Sequence, residues 1–183
     1  MQNGIDGLRD RHVDAHVVGQ PRHFACGADA LGDMAEVVVR SRANAQSNPC
    51  AQLKGSTSVE QLLAEPTFVS PLRRHDCPPI TDGASAMIIA SADVAARYCK
   101  RPAWVRGIDH RMETGILGAR DLTRSPSTRL AGEKAGVARG KVDLAELHAP
   151  FSHQEIILRR ELGLGDDVPV NLSGGALSGN TMM

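Results

Sequence analysis

The alternation of strand-like and helix-like segments constrains the fold most. From Ala84 onward the predicted order is strand, helix, strand, helix, strand, helix, strand. This order favours an α/β architecture with a mostly parallel sheet, because each helix carries the chain back to the edge where the next parallel strand begins. The stretch 80–90 is predicted to be a turn followed by a central strand, since the strand is apolar on both faces. Residues 104–108 form a second predicted strand.

The segment from Val142 to Glu155 is predicted to be a buried strand that leads directly into a helix. Ser152 followed three residues later by Glu155 has the spacing of a capping box, which starts a helix. His148 and Phe151 therefore stand just before a helix N-terminus, where free amide groups gather. Ligands of open α/β sheets bind at the carboxyl ends of strands, so His148 is a candidate site residue. The alternative is a loop histidine without chemistry.

A helix is predicted from Ala28 to Ser47, because apolar residues recur at helical spacing and Asn48-Pro49 ends the pattern. Its other face carries Arg40 and Arg42, which form either an anion-binding face or an ordinary solvated face.

The glycine-rich segment from Val170 to Gly179 matches neither the P-loop nor the dinucleotide-binding fingerprint. Its amide groups are able to approach an anion or a carbonyl oxygen closely, because Gly174 and Gly175 have no side chains. A tight turn without a ligand is the alternative.

The composition argues against several classes of function. The 183 residues include 21 basic and 21 acidic side chains and only five aromatic ones, so neither a basic face nor a stacking platform for nucleic acid is expected. No apolar run reaches the length of a membrane span, and the charged N-terminus is unlike a secretory signal. The four cysteines form no C-x-x-C pair, which favours neither zinc nor disulfides and suggests a reduced, cytoplasmic setting. They are Cys26, Cys50, Cys77 and Cys99.

Four segments together resemble the thiolase superfamily, in particular the sterol-carrier-type and lipid-transfer thiolases. Glu146-Leu-His-Ala-Pro-Phe-Ser152 is similar to the family's His-Asp-Ala-Phe or Asn-Glu-Ala-Phe motif. Val170-Asn-Leu-Ser-Gly-Gly175 resembles the approach to its Gly-His-Pro motif. The segment from Cys77 to Ser91 resembles the motif that closes the family's first half. The fourth resemblance, to a lipid-transfer thiolase subgroup, is carried by Asp109-His110 together with Arg120 to Ser127.

The resemblance covers roughly Met34 to Met183 and implies part of a layered αβαβα fold with a helical cap region that holds coenzyme A. It divides the chain into an irregular lead-in (1–27), the cap (28–79), the end of a first half (80–101) and a truncated C-terminal half (102–183). The family's nucleophilic cysteine would lie in a missing front part. Asn180 stands near the position of the family's activating histidine.

The resemblance also assigns roles to single residues. His148 would be catalytic and help to bind a thioester oxygen, while Phe151 and Asn180 would contact the substrate. Gly174 and Gly175 would shape the wall of the substrate pocket. Arg40 and Arg42 in the cap would bind coenzyme A. No metal and no tightly bound cofactor is expected; the substrate would be a coenzyme A thioester.

The function so implied is that of a thiolase-like acyl-CoA acyltransferase or lipid-transfer protein of lipid or steroid metabolism. Without the cysteine and histidine it is expected to be incomplete or inactive alone, and its partner would be a second copy or a complementary thiolase-like polypeptide. The alternatives are a non-catalytic acyl-CoA-binding or partner-docking subunit, and an inactive remnant. Exposed apolar surface is expected at Met87 to Ile89 and at Val168 to Leu172, whose covering segments the resemblance places outside the chain.

Overall fold

The computed structural model describes residues 30–116 and 118–179. Six α-helices, three 3-10 helices and one short hairpin make up its regular structure in these ranges. The α-helices are α1 (Ala30–Asn44), α2 (Val59–Ala64), α3 (Ala92–Tyr98), α4 (Pro126–Ala135), α5 (Ser152–Glu161) and α6 (Gly175–Ser178). The strands are β1 (Thr67–Val69) and β2 (Leu72–Arg73), and the 3-10 helices are Ala45–Ser47, Arg74–Asp76 and Val137–Arg139.

Helix α1 is the centre of the packed region and lies against α2, α5 and α6. Its apolar face is buried, as the spacing predicts: Val38 is 1% exposed and contacts a core that includes Leu62 of α2 and Leu177 of α6. The predicted helix is therefore confirmed over Ala30–Asn44, and it continues as a 3-10 turn to Ser47. Its predicted first two residues lie outside the described ranges.

Local sequence signals mark the ends of two other helices. At the start of α2 the Ser58 hydroxyl accepts from the Gln61 amide (3.3 Å), and the Gln61 side chain accepts from the Ser58 amide (3.0 Å). Helix α4 begins at Pro126 and is followed by Gly136 at φ 92°, a left-handed conformation that favours glycine.

The predicted central strands are wrong in the described residues. Residues 84–90 and 104–108 form no strand, and Ile88 and Trp104 are 95% and 54% exposed. A strand requires hydrogen-bonding neighbours, and no described segment pairs with these two. Parallel pairing occurs between Ala145 and Val170, where the last two predicted strands meet. The other paired strands are β1 and β2, which run antiparallel.

Apolar exposure follows from this lack of pairing. Met87, Ile88 and Ile89 are 82%, 95% and 76% exposed, so the predicted exposure of this stretch is confirmed. For the stretch from Val168 to Leu172 the prediction holds at Leu172, which is 46% exposed, and is wrong at Val170, which is 2% exposed because its segment pairs with residue 145 and lies beside helix α1.

Candidate functional site

The segment that contains His148 and the glycine-rich segment lie side by side. The Ala145 amide donates to the Pro169 carbonyl (2.9 Å), and the Asn171 amide donates to the Ala145 carbonyl (2.8 Å). Two residues further along the segment of His148, the Leu147 amide donates to the side-chain oxygen of Asn171 (2.7 Å). The structure thus brings together two motifs that are more than twenty residues apart in the sequence.

Asn171 is held by a buried carboxylate. Its side-chain nitrogen donates to Glu155 Oε2 (2.8 Å), and the other oxygen of Glu155 accepts from Arg40 of α1. Glu155 is 2% exposed, so these partners replace the water that would otherwise solvate its oxygens. Asn171 also has a left-handed backbone, φ 53°, and its carbonyl accepts from the Asn44 side chain (3.0 Å). We call Arg40, Glu155 and Asn171 the Glu155 network; it ties helices α1 and α5 to both motif segments.

The predicted capping box of α5 is wrong in its details. Ser152 is the first helical residue, Phe151 is the N-cap, and the Gln154 side chain accepts from the Phe151 amide (3.2 Å). The Ser152 hydroxyl instead donates to the buried carboxylate of Asp76 (2.6 Å). Charge-assisted hydrogen bonds are stronger than neutral ones. Ser152 therefore binds Asp76, and Glu155 binds Arg40, instead of capping the helix.

His148 is exposed and lines an open cavity of about 400 Å³ beside the start of α5. Its other lining residues are Arg120, Leu122, Arg124, Ser125, Pro150, Gln154, Ile157 and Leu158. We call this the His148 cavity. Phe151, predicted to contact the substrate, is half-buried outside this lining, and its ring lies 5.9 Å from the ring of His153.

Two arginines of the His148 cavity were missed in the sequence. Arg120 pairs with Glu113 (3.2 Å), and Arg124 pairs with the buried Glu161. Hydrogen bonding from Ser127 lowers the pKa of Glu113, and hydrogen bonding from Arg124 lowers the pKa of Glu161, so both carboxylates are charged near neutral pH. The segment from Arg120 to Ser127 carries part of the family resemblance, which assigns no role to its charges.

Gly174 and Gly175 pack closely rather than lying open. A Cβ atom on Gly174 (φ 92°) would lie 2.7 Å from the Cβ of Ala45, and one on Gly175 (φ 61°) would lie 2.9 Å from Cγ of Asn171. The Gly174 carbonyl accepts from the Ser41 hydroxyl of α1 (2.5 Å). Close packing of the loop on α1 therefore requires glycine here, and contact with a substrate stays a prediction. Asn180, the other predicted contact, lies outside the described residues.

Arg40 and Arg42 are not brought together. Arg40 turns to Glu155, whereas Arg42 lines a second cavity of about 650 Å³, with Lys54, Arg74 and Glu65 among its other residues. We call this the Arg42 cavity. The Nη1 atom of Arg42 is buried without a hydrogen-bond partner among the described residues, and burial lowers the pKa of this guanidinium.

None of the described cysteines lines the His148 cavity. Cys50 and Cys99 are exposed free thiols, and Cys77 is half-buried with its sulfur near the Arg73 carbonyl (3.7 Å). Burial raises the pKa of the Cys77 thiol, which disfavours the reactive thiolate. Among the described residues no group of three His, Cys, Asp or Glu side chains is arranged to hold a metal. None of the helices described is both long and apolar enough to span a membrane.

Comparison with curated proteins relates the chain to thiolases. It is 35% identical over 176 residues to the acetyl-CoA acetyltransferase of Methanothermobacter thermautotrophicus, covering 84% of this chain and 46% of the relative. It is 32% identical over 173 residues to the beta-ketoadipyl-CoA thiolase of Pseudomonas putida, covering 84% and 40%. The benzoylsuccinyl-CoA thiolase subunit of Thauera aromatica is 31% identical over 146 residues, covering 77% and 38%. The chain thus spans less than half the length of these relatives. No protein-family model matches it.

Solved structures give the same fold. The Ltp2-ChsH2(DUF35) aldolase superposes with a TM-score of 0.80 at 21% identity, covering 91% of this chain and 50% of that one. A monomeric SCP2-thiolase-like protein of Mycobacterium smegmatis gives a TM-score of 0.63 at 24% identity, covering 82% and 37%. The fold is therefore part of a thiolase-like α/β fold, as the resemblance implied. With the sequence relatives, this shows that the chain belongs to the thiolase superfamily.

Proposed function

We propose that this chain is an acyl-CoA-binding component of a thiolase-like enzyme and that His148 binds the thioester carbonyl oxygen. The observation that supports the proposal is the position of His148, exposed in a cavity beside a segment that the Glu155 network fixes. An imidazole N–H that donates to the carbonyl oxygen stabilises negative charge that develops there during a reaction. Lipid or steroid thioesters are the proposed substrate class.

Chemistry at the His148 cavity is proposed to be carbon–carbon bond cleavage that depends on polarisation of the thioester. No described cysteine lines this cavity, so the described residues supply no nucleophile for ordinary thiolysis there. In a retro-aldol cleavage, the electron pair of the breaking carbon–carbon bond moves toward the thioester carbonyl as an enolate forms. His148 would donate to that oxygen. A base from another part of the enzyme would accept the proton of the β-hydroxyl group, so that a ketone or aldehyde leaves, and a proton returned to the enolate carbon would complete the shortened thioester.

The Arg42 cavity is proposed to hold the phosphate groups of coenzyme A. Arg42, Lys54 and Arg74 carry positive charge, which Glu65 offsets in part. The Nη1 atom of Arg42 is buried and has no hydrogen-bond partner among the described residues, so a phosphate oxygen would satisfy it only after the side chain moves toward the cavity. Arg40, predicted for the same role, is committed to Glu155. This assignment fits the proposal that residues 28–79 form the cap region.

A partner-docking role is the second candidate, and the exposed apolar stretch favours it. Met87, Ile88 and Ile89 lie within extended chain whose backbone has no strand partner among the described residues. A complementary thiolase-like polypeptide or a second copy would supply neighbouring strands. One structural relative is named the Ltp2-ChsH2(DUF35) aldolase, a title that joins two names.

Calorimetric titration with coenzyme A and with acetyl-CoA tests the binding proposal. Arg42→Gln is expected to weaken both ligands alike, about tenfold, because it removes charge-assisted hydrogen bonds to phosphate. His148→Ala is expected to weaken acetyl-CoA alone, since free coenzyme A has no thioester carbonyl.

Arg97→Gln and His110→Ala are matched controls, because both side chains are exposed and line neither the Arg42 cavity nor the His148 cavity. The His148 assignment fails if His148→Ala changes the affinity for both ligands equally or for neither. If folded wild-type protein binds neither ligand, acyl-CoA binding itself is wrong and the docking role gains support.

A further inference from the structure

The His148 cavity combines an apolar wall with two cationic groups. Leu122, Ile157 and Leu158 supply apolar surface, while Arg120 and Arg124 supply guanidinium groups in the same cavity as His148. A purely hydrocarbon acyl chain would use the wall but leave both guanidinium groups to water. A cavity of about 400 Å³ falls within the range of roughly 300–1,000 Å³ that is usual for small-molecule sites.

Both guanidinium groups are oriented by carboxylates that are themselves held in place. Glu113 accepts from the Ser127 amide (3.0 Å) and hydroxyl (2.6 Å) while it pairs with Nη1 of Arg120. Glu161, 7% exposed, pairs with Nε and Nη2 of Arg124. Each arginine is therefore positioned without using all five of its N–H donors.

Both arginines keep donors that their ion pairs do not use. Arg120 and Arg124 side chains are 42% and 52% exposed, and the ion pairs leave Nη2 of Arg120 and Nη1 of Arg124 with N–H groups to donate. A guanidinium fork matches the two oxygens of a carboxylate. The paired glutamates cancel the charges of the two arginines, and Asp121 adds a further negative charge near Arg124, so recognition would depend on directed hydrogen bonds and not on long-range attraction.

We propose that the acyl group of the substrate carries a carboxylate at the end distant from the thioester, and that Arg120 and Arg124 bind it. The inference rests on the proposed function, because it takes the thioester carbonyl to lie at His148 in the same cavity. The apolar residues between these polar ends contact the methylene chain. The alternative is that the two arginines only anchor their loop to the glutamates.

The test compares adipoyl-CoA with hexanoyl-CoA, which have six-carbon acyl chains and differ in the terminal carboxylate. Titration of the full chain is expected to show adipoyl-CoA binding about tenfold to a hundredfold more tightly, the range for one or two hydrogen bonds to a charged group. In the Arg120→Gln/Arg124→Gln variant the ratio of the two affinities falls to near one. Arg106→Gln, an exposed arginine outside the cavity lining, keeps the wild-type ratio.

The outcomes separate this inference from the proposed function. Equal affinity of wild-type protein for both thioesters, with hexanoyl-CoA binding sensitive to His148→Ala, overturns the carboxylate preference and leaves the proposed function standing. Binding of neither thioester by cooperatively folded protein overturns both. In the double variant the only ion pair that Glu161 keeps among the described residues is the 3.9 Å contact with Arg129. If that variant does not fold, Arg120→Gln alone decides, since Ser127 still holds Glu113; an unchanged ratio in Arg120→Gln contradicts a role for Arg120.

Discussion

Replacing Glu155 by leucine tests whether the Glu155 network fixes the two motif segments. The substitution removes the ion pair with Arg40 and the 2.8 Å hydrogen bond from Asn171, both made by a carboxylate that is 2% exposed. Breaking a buried ion pair from one side costs about 3–5 kcal/mol. Arg40 is 34% exposed and regains water, which places the expected loss near the lower limit, about 3 kcal/mol.

Chemical denaturation followed by circular dichroism measures this loss, and a thermal melt should shift by roughly 6–12 °C for a chain of this size. Glu155→Gln should cost less, because the amide retains an acceptor for Asn171. Glu146→Leu is the matched control: its carboxylate accepts from the amide (3.0 Å) and hydroxyl (2.6 Å) of Ser173, but the residue is exposed, so we expect less than about 1 kcal/mol. Equal losses in Glu155→Leu and Glu146→Leu would refute the reasoning, since burial is what distinguishes the two carboxylates.

Two further predictions concern a glycine and a buried histidine. Gly174→Ala should destabilise the fold by several kcal/mol, because the new Cβ would lie 2.7 Å from Ala45. Gly136 has the same φ of 92°, but a Cβ there would meet nothing within 4 Å. Denaturation of Gly136→Ala should therefore show only the backbone strain, about 1–2 kcal/mol. Similar losses in both variants would show that the loop yields to the added methyl group. Burial lowers the pKa of His153 below its ordinary 6.5, and the charge of Asp76 opposes this effect. As the pH falls, the histidine therefore binds a proton in the unfolded chain before it does so in the folded one. Unfolding free energy should therefore decline as the pH drops below about 6.5, and this part of the decline should be absent in His153→Leu; an identical pH profile in the variant would contradict the assignment.

The helices could be predicted because their signals are local. The cap formed by Ser58 and Gln61, the proline at position 126 and the glycine at 136 all act within one or two turns of the chain. The sheet could not be predicted in the same way, because the apolar run 84–90 shows only that a strand would suit these residues. Whether a partner strand lies beside them is a non-local property, and in the described residues none does.

In the candidate site, too, local features could be predicted from the sequence and long-range contacts could not. The resemblance selected His148 and the segment around Asn171, and the structure places their backbones in contact. Nothing in the local sequence showed that Glu155 would turn away from its own helix end toward Arg40, a residue 115 positions earlier. Glu155 stands three residues after Ser152 and so satisfies the capping pattern. Its carboxylate instead binds the guanidinium group of Arg40 and the side-chain amide of Asn171, which are stronger partners in a buried position. Arg124 was missed for a similar reason, since its role depends on Glu161, 37 residues later.

Helix geometry connects the two proposed binding regions. Successive residues turn by about 100° around an α-helix, so Arg40 and Arg42 point to nearly opposite sides of α1. One side holds Glu155 and through it the segment of His148, while the other lines the Arg42 cavity. A ligand that binds at Arg42 stabilises the folded position of α1, and that helix is the support on which the Glu155 network rests. Occupation of the Arg42 cavity by phosphate groups should thus also protect the amide of Leu147 from hydrogen exchange, since that amide is bonded to Asn171 within the same network.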